Sequence, residues 1–61
     1  MKTYYYSVIY KDEFLSYESE MDADTIDEIK EDLESVDDFA DVMHYEIYSE
    51  DGIEHLEWSR E

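Results

Sequence analysis

Residues 41–59 read DVMHYEIYSEDGIEHLEWS and hold the only glycine of the chain, Gly52. Asp51-Gly52 falls between two runs of alternating apolar and polar residues, which is the local signal for a two-residue type I′ hairpin. With those two residues as the loop, Glu50 faces Ile53, Ile47 faces Leu56 and Tyr45 faces Trp58. Met43, Tyr45, Ile47, Leu56 and Trp58 then share one side, and His44, Glu46, Tyr48, His55 and Glu57 share the other. The same register sets Glu46 directly opposite Glu57, a like-charge pair that costs stability.

Upstream, the period changes. In DTIDEIKEDLESVDDFAD, residues 24–41, Ile26, Ile29, Leu33 and Val36 recur at spacings of three, four and three, the pattern of one buried helical stripe. Thr25 and Glu28 match a capping box. The helix is expected to start near Asp24 and to end between Ser35 and Ala40. Further upstream, KTYYYSVIYKDEFLSYESE, residues 2–20, is rich in strand formers with a polar break at Lys11-Asp12, and reads as a second hairpin. A Lys11-Asp12 loop pairs Val8 with Leu15 and Tyr6 with Tyr17. Tyr4, Tyr6, Val8, Tyr10, Leu15 and Tyr17 form its core face, and Tyr5, Ser7, Ile9, Phe14, Ser16 and Glu18 the opposite face. The whole is an α+β chain in the order ββαββ. The expected architecture is a four-stranded antiparallel sheet made of two hairpins, with one helix packed on one face. Residues 1–61 form a single small acidic domain.

Composition narrows the function. The 61 residues carry 20 Asp or Glu against 4 Lys or Arg, a formal charge of −16, and no cysteine. Disulfide and thiolate-metal staples are excluded, so seven Tyr, two Phe and one Trp must supply most of a thin core. Direct binding to nucleic acid or to an anionic membrane is not expected from this charge balance. No signal peptide or membrane-length apolar run is read, which leaves a cytoplasmic protein as the expectation.

A helix over Thr25–Asp38 spans about 21 Å at roughly 1.5 Å per residue. Asp27, Glu28, Glu31, Asp32, Glu34, Asp37 and Asp38 stand on it against Lys30 alone. The net spacing, about 3.5 Å per negative charge, approaches the roughly 3.4 Å per phosphate of one DNA strand. Two of its i,i+4 contacts, Glu28 with Asp32 and Glu34 with Asp38, are like-charge pairs. Such a helix is not chosen for folding stability. Its self-repulsion predicts a fold that gains stability as pH falls from 7 toward about 5, and as salt is added.

In size, acidity, absence of cysteine and compact α+β layout, the whole chain resembles the small acidic inhibitors encoded by phages and mobile elements, among them several anti-CRISPR proteins and inhibitors of restriction enzymes or glycosylases. The resemblance has no residue motif and transfers no functional residue. It implies a DNA or RNA mimic, an anti-defence protein acting in the host cytoplasm, that fills the basic nucleic-acid-binding groove of a target protein. The alternative is an acidic interaction module or regulatory subunit whose basic partner is not a nucleic-acid binder. Asp27, Glu28, Glu31, Asp32, Glu34, Asp38, Glu46, Glu50, Glu54 and Glu57 are the expected partner-binding residues. Tyr5, Ile9 and Phe14 form a candidate aromatic or homodimer interface.

Catalysis is not expected, because no activated nucleophile is available and the core is thin. Asp22-x-Asp24 opens like a calcium loop and then fails, with Ile26 at the fifth position and no glycine at the sixth. His44, Glu46, His55 and Glu57 share a face with donors for a divalent ion, and are read in preference as a solvated or partner-facing surface. No metal or cofactor is expected.

Overall fold

Alternation places Tyr4 and Val8 on one side of strand β1, Lys2–Tyr10, and packing follows from that parity. The computed structural model describes residues 1–12 and 15–60. The remaining elements are β2 (Ser16–Ala23), helix α1 (Ile26–Glu34), a 3₁₀ turn (Phe39–Asp41), β3 (Val42–Ser49) and β4 (His55–Ser59). The four strands form one antiparallel sheet in the order β2-β1-β3-β4, with the helix on one face. The first strand is therefore central, and the two hairpins join along β1 and β3.

The second hairpin has the expected register, with Tyr45 opposite Trp58, Glu46 opposite Glu57 and Ile47 opposite Leu56. Its turn differs from the expected one. Ser49 N–H donates to Glu54 C=O at 2.9 Å and Gly52 N–H to Ser49 C=O at 2.9 Å, so residues 50–53 form the loop. Gly52 has φ 77°, and among the described residues no other has positive φ, which a type I′ turn would require of both central residues. Asp51 holds the loop, accepting from Ser49 Oγ at 2.5 Å and from Ile53 N–H at 3.0 Å.

In the first hairpin, Val8 pairs with Tyr17 and Ile9 with Ser16, two residues away from the expected register. Tyr10 N–H closes it on Leu15 C=O at 3.1 Å, so the loop is longer than Lys11-Asp12. A shift of two preserves parity, so the faces stand while the pairs change. Leu15 and Tyr17 remain on the core side, yet they are exposed, Tyr17 with its ring against Tyr6 and Tyr10. The pairing also continues past Glu20: Met21 and Ala23 extend β2 and bring Tyr4 against Met21.

Thr25 caps the helix, and the Glu28 carboxylate accepts from Thr25 N–H at 3.3 Å and Asp24 N–H at 2.7 Å. Serine ends it without a glycine. Ser35 turns its hydroxyl back onto Asp32 C=O at 2.8 Å, the side-chain competition that makes serine a poor helix interior. Ile29 and Leu33 are buried, Ile26 is partly buried, and Val36, beyond the last turn, is 42% exposed. Tyr4, Tyr45, Ile29 and Ile47 are completely buried, with Val8, Ala23, Leu33 and Val42 around them. A register irregularity after Ile9 pairs Tyr10 with Val42, so Val42 turns inward and Met43, expected on the side of Tyr45 and Ile47, is exposed.

Arg60 ties the far end of the sheet. Its Nε donates to Val42 C=O at 2.9 Å and its Nη2 to Phe39 C=O at 3.0 Å, while the guanidinium lies 5.1 Å from the Trp58 ring and 5.4 Å from Phe39. Phe39, Tyr45 and Trp58 pack together at 5.1–6.4 Å between ring centroids. One of the four Lys or Arg residues thus serves aromatic packing and carbonyls.

Candidate functional site

The face of the sheet away from the helix carries most of the chemistry the sequence offers. Strand pairing arranges it in cross-strand rows. One row is Glu20, Tyr5, Tyr48 and His55; the next is Glu18, Ser7, Glu46 and Glu57; the third is Ser16, Ile9, His44 and Ser59. Asp22, opposite Thr3, continues the line along β2 and accepts from the Thr3 hydroxyl at 2.8 Å. Along that edge Glu18, Glu20 and Asp22 recur every second residue, about 6.8 Å apart at roughly 3.4 Å per residue. None of the Lys or Arg residues stands in these rows.

The centre of the face is aromatic. Tyr5 and Tyr48 have ring centroids 5.8 Å apart, and Tyr48 and Ile9 are 42% and 40% exposed. A shallow depression runs between Tyr5, Tyr48, Ser7, Glu18, Glu20 and Glu46. Tyr5 Oη donates to Glu50 at 3.4 Å, and the Glu50 charge, followed by burial, holds the phenol above its usual range. His55 Nε2 lies 3.5 Å from Glu46, and His44 Nδ1 lies 2.8 Å from Ser59 Oγ.

The ten carboxylates expected to meet a partner do not form one surface. Asp27, Glu28, Glu31 and Asp32 lie exposed on the helix, and Asp38 is exposed in the connection after it. Glu46 and Glu57 lie on the opposite side of the sheet, with Glu50 beside Tyr5. Glu34 and Glu54 are occupied within the fold. Glu34 accepts from the buried Tyr45 hydroxyl at 2.5 Å and pairs with Lys30 at 3.2 Å; first the phenol and then the lysine hold its carboxyl below the usual range, against its partial burial. Glu54 accepts from Tyr4 Oη at 2.9 Å and Lys2 Nζ at 3.1 Å, which lower its carboxyl in that order. Burial first, and these carboxylates second, push both phenols up. Asp51 is lowered by the Ser49 hydroxyl and the Ile53 amide.

The helix is also shorter than expected. Its nine residues span about 13.5 Å. They carry Asp27, Glu28, Glu31, Asp32 and Glu34 against Lys30, but with Glu28 capping and Glu34 bonded to Tyr45, three carboxylates face solvent without such a role. Counted as net charge, the four excess negatives over that length still lie roughly 3.4 Å apart, so the helix falls short of the expected one in length and not in density.

Of the aromatic interface, Tyr5 and Ile9 are on the open face, and Phe14 lies outside the described residues. Sequence reading did not join Glu20 and Asp22 to the site. The available signal was parity: Glu18, Glu20 and Asp22 alternate with Ser19, Met21 and Ala23 up to the expected helix start near Asp24. Among the described residues no helix is long and apolar enough to cross a membrane. Comparison with protein-family models, with curated proteins and with solved structures finds no match for this chain.

Proposed function

We propose that this protein is an acidic inhibitor that lays the open face of its sheet on the basic, nucleic-acid-binding surface of another protein and so excludes nucleic acid. The observation that carries this reading is the composition of the rows: Glu18, Glu20, Glu46 and Glu57 lie beside a centre of half-buried Tyr5 and exposed Tyr48 and Ile9, with no Lys or Arg among them. An apolar centre inside a charged rim is the usual anatomy of a protein interface. The rim accelerates encounter with a positive surface and the rings supply retention. A second copy is a poor complement, since a face-to-face dimer would oppose Glu18, Glu20, Glu46 and Glu57 with themselves. The helix acids, on the far side, reinforce the field without entering the contact. An anti-defence role of the phage type is the setting in which such an inhibitor acts.

The reading requires competition. A partner isolated on the immobilised protein is purified and mixed with a labelled DNA or RNA duplex, and this protein is titrated in. Displacement of the duplex, weakened steeply between about 50 and 200 mM salt, is the expected result. Replacing Glu18, Glu20 and Glu46 with Gln should weaken displacement, whereas replacing Glu31 and Asp32 with Gln and Asn should leave it nearly intact. A stable ternary complex of partner, duplex and this protein would refute groove occupancy and favour the interaction-module reading, with Tyr5 and Tyr48 as its anchors.

A further inference from the structure

The chain contains the tripeptide pattern His-x-Glu twice, at His44-Tyr45-Glu46 and His55-Leu56-Glu57. In each, the central residue packs against the core, and the flanking histidine and glutamate share the open face. Antiparallel pairing then sets the two glutamates opposite each other with a histidine beyond each end of the pair. One donor atom from each of His44, Glu46 and Glu57 lies within 4.8 Å of the other two.

We propose that His44, Glu46 and Glu57 bind one divalent transition-metal ion of the zinc class, with water completing its coordination. Metal–ligand bonds of about 2.0–2.2 Å bring tetrahedral donors to roughly 3.4 Å from one another. Donors at 4.8 Å reach that geometry by small side-chain rotations on a fixed strand pair. One imidazole with two carboxylates suits zinc, cobalt or manganese better than the all-oxygen sets that magnesium and calcium take.

Two features separate this cluster from ordinary surface acidity. The first is orientation: His44 Nδ1 is held by Ser59 Oγ at 2.8 Å, which leaves Nε2 to ligate, and His55 Nε2 stands 3.5 Å from Glu46 Oε2, which leaves the other Glu46 oxygen for a metal. Metal-binding histidines and carboxylates are typically fixed by such outer partners. The second is the cross-strand repulsion of Glu46 and Glu57. Among the described residues no Lys, Arg or hydroxyl group bonds Glu57, so the pair is uncompensated on that side, and a divalent cation between them removes the repulsion.

The site shares the docking face but does not depend on the docking proposal, and the following test uses no partner. Chelator-treated full-length protein is titrated with zinc chloride by calorimetry and followed by thermal melting, with magnesium chloride at equal concentration as the control for general screening of a −16 protein. One saturable equivalent and a rise in melting temperature with zinc but not magnesium are expected, and cobalt(II) should give a visible absorption band on binding. His44→Ala and Glu57→Gln should each weaken zinc at least about tenfold, and Ser59→Ala by about tenfold. Glu31→Gln, on the opposite side, should bind as the parent does. Glu57→Gln separates ligation from stability, because it relieves the repulsion and so should melt no lower than the parent without metal while losing the zinc response. Equal effects of zinc and magnesium, several weak equivalents, or unchanged affinity in His44→Ala would overturn the proposal.

Discussion

Tyr4 and Tyr5 are neighbours on one strand, and Tyr45 and Tyr48 lie on the strand beside it, yet the two pairs treat charge in opposite ways. Tyr4 and Tyr45 point under the helix, are completely buried, and give their hydroxyls to Glu54 and Glu34. Tyr5 and Tyr48 point to the open side, lie against each other, and are ringed by carboxylates that the fold does not absorb. On the covered side each acid is answered by a phenol and a lysine together. On the open side the acids are left for something else to meet. A single residue of strand parity separates a charge that builds the fold from one that is offered outward.

The sharpest way to break the comparison is to truncate one ring from each side. Tyr45→Ala should cost about 3–5 kcal/mol, as for other large buried rings, which is enough to unfold much of a domain this small. Tyr48→Ala should change stability by about 0.5 kcal/mol or less. Urea or thermal unfolding of the two variants compares them directly, and similar losses would mean that the open-face rings are structural.

Removing only the hydroxyl isolates the bond to the acid. Tyr45→Phe should destabilise by about 1.5–3 kcal/mol, the range for a hydrogen bond to a charged group. Tyr4→Phe should destabilise too, whereas Tyr5→Phe should not, since its 3.4 Å contact with Glu50 is long and exposed. Thermal melts rank the three.

Acid tests the same division. Glu34, Glu54 and Asp51 are held below their ordinary values of 4.5, 4.5 and 3.8. The unfolded chain therefore binds protons at these positions before the native state does, so their contribution is complete above about pH 4.5 and is lost as pH falls through the lower native values. The melting temperature should fall below about pH 4.5, and added salt at pH 7 should stabilise by screening the open-face repulsion. Alkali reverses the sign. Partial burial of a ring that is still 41% exposed, followed by its bond with Tyr10, pushes Tyr17 up to about 12, and Tyr4 and Tyr45 are also raised, so their share of stability is complete below about pH 10 and is lost above it. Ultraviolet phenolate titration should show these rings ionising together with unfolding.

The smallest effect belongs to the row of glutamates. Glu57→Gln should stabilise the metal-free fold by a few tenths of a kcal/mol, measured as a shift of the urea midpoint at low salt. A loss instead would mean that Glu57 is already satisfied within the fold.

How much of this could be read from the chain depended on local punctuation. The second hairpin was legible because Gly52 fixes where the strands turn, and a four-residue loop at 50–53 imposes the same pairing as a two-residue loop at 51–52. The first hairpin has no glycine or proline, so its register could slip by two while its faces stayed legible through parity. The helix start was visible in Thr25 and Glu28, but its end at Ser35 was masked by Val36 and Phe39 continuing the apolar spacing. The site was half legible. His44, Glu46, His55 and Glu57 were placed on one face, but nothing in twenty acidic residues marks Glu34 and Glu54 as the two that receive buried phenols. That distinction is made by long-range contacts.

The edge strand β2 has a consequence for how the protein survives at high concentration. Eight residues long and paired only with β1, it presents a free row of backbone donors and acceptors, the kind of border on which sheets of different molecules fuse. Glu18, Glu20 and Asp22, one at every second position, keep two such borders apart at neutral pH. Stripped of those charges the same strand becomes a point of fibril growth, so the protein should stay clear and monodisperse on storage near pH 7 while the variant with Glu18→Gln, Glu20→Gln and Asp22→Asn turns to cross-β aggregate.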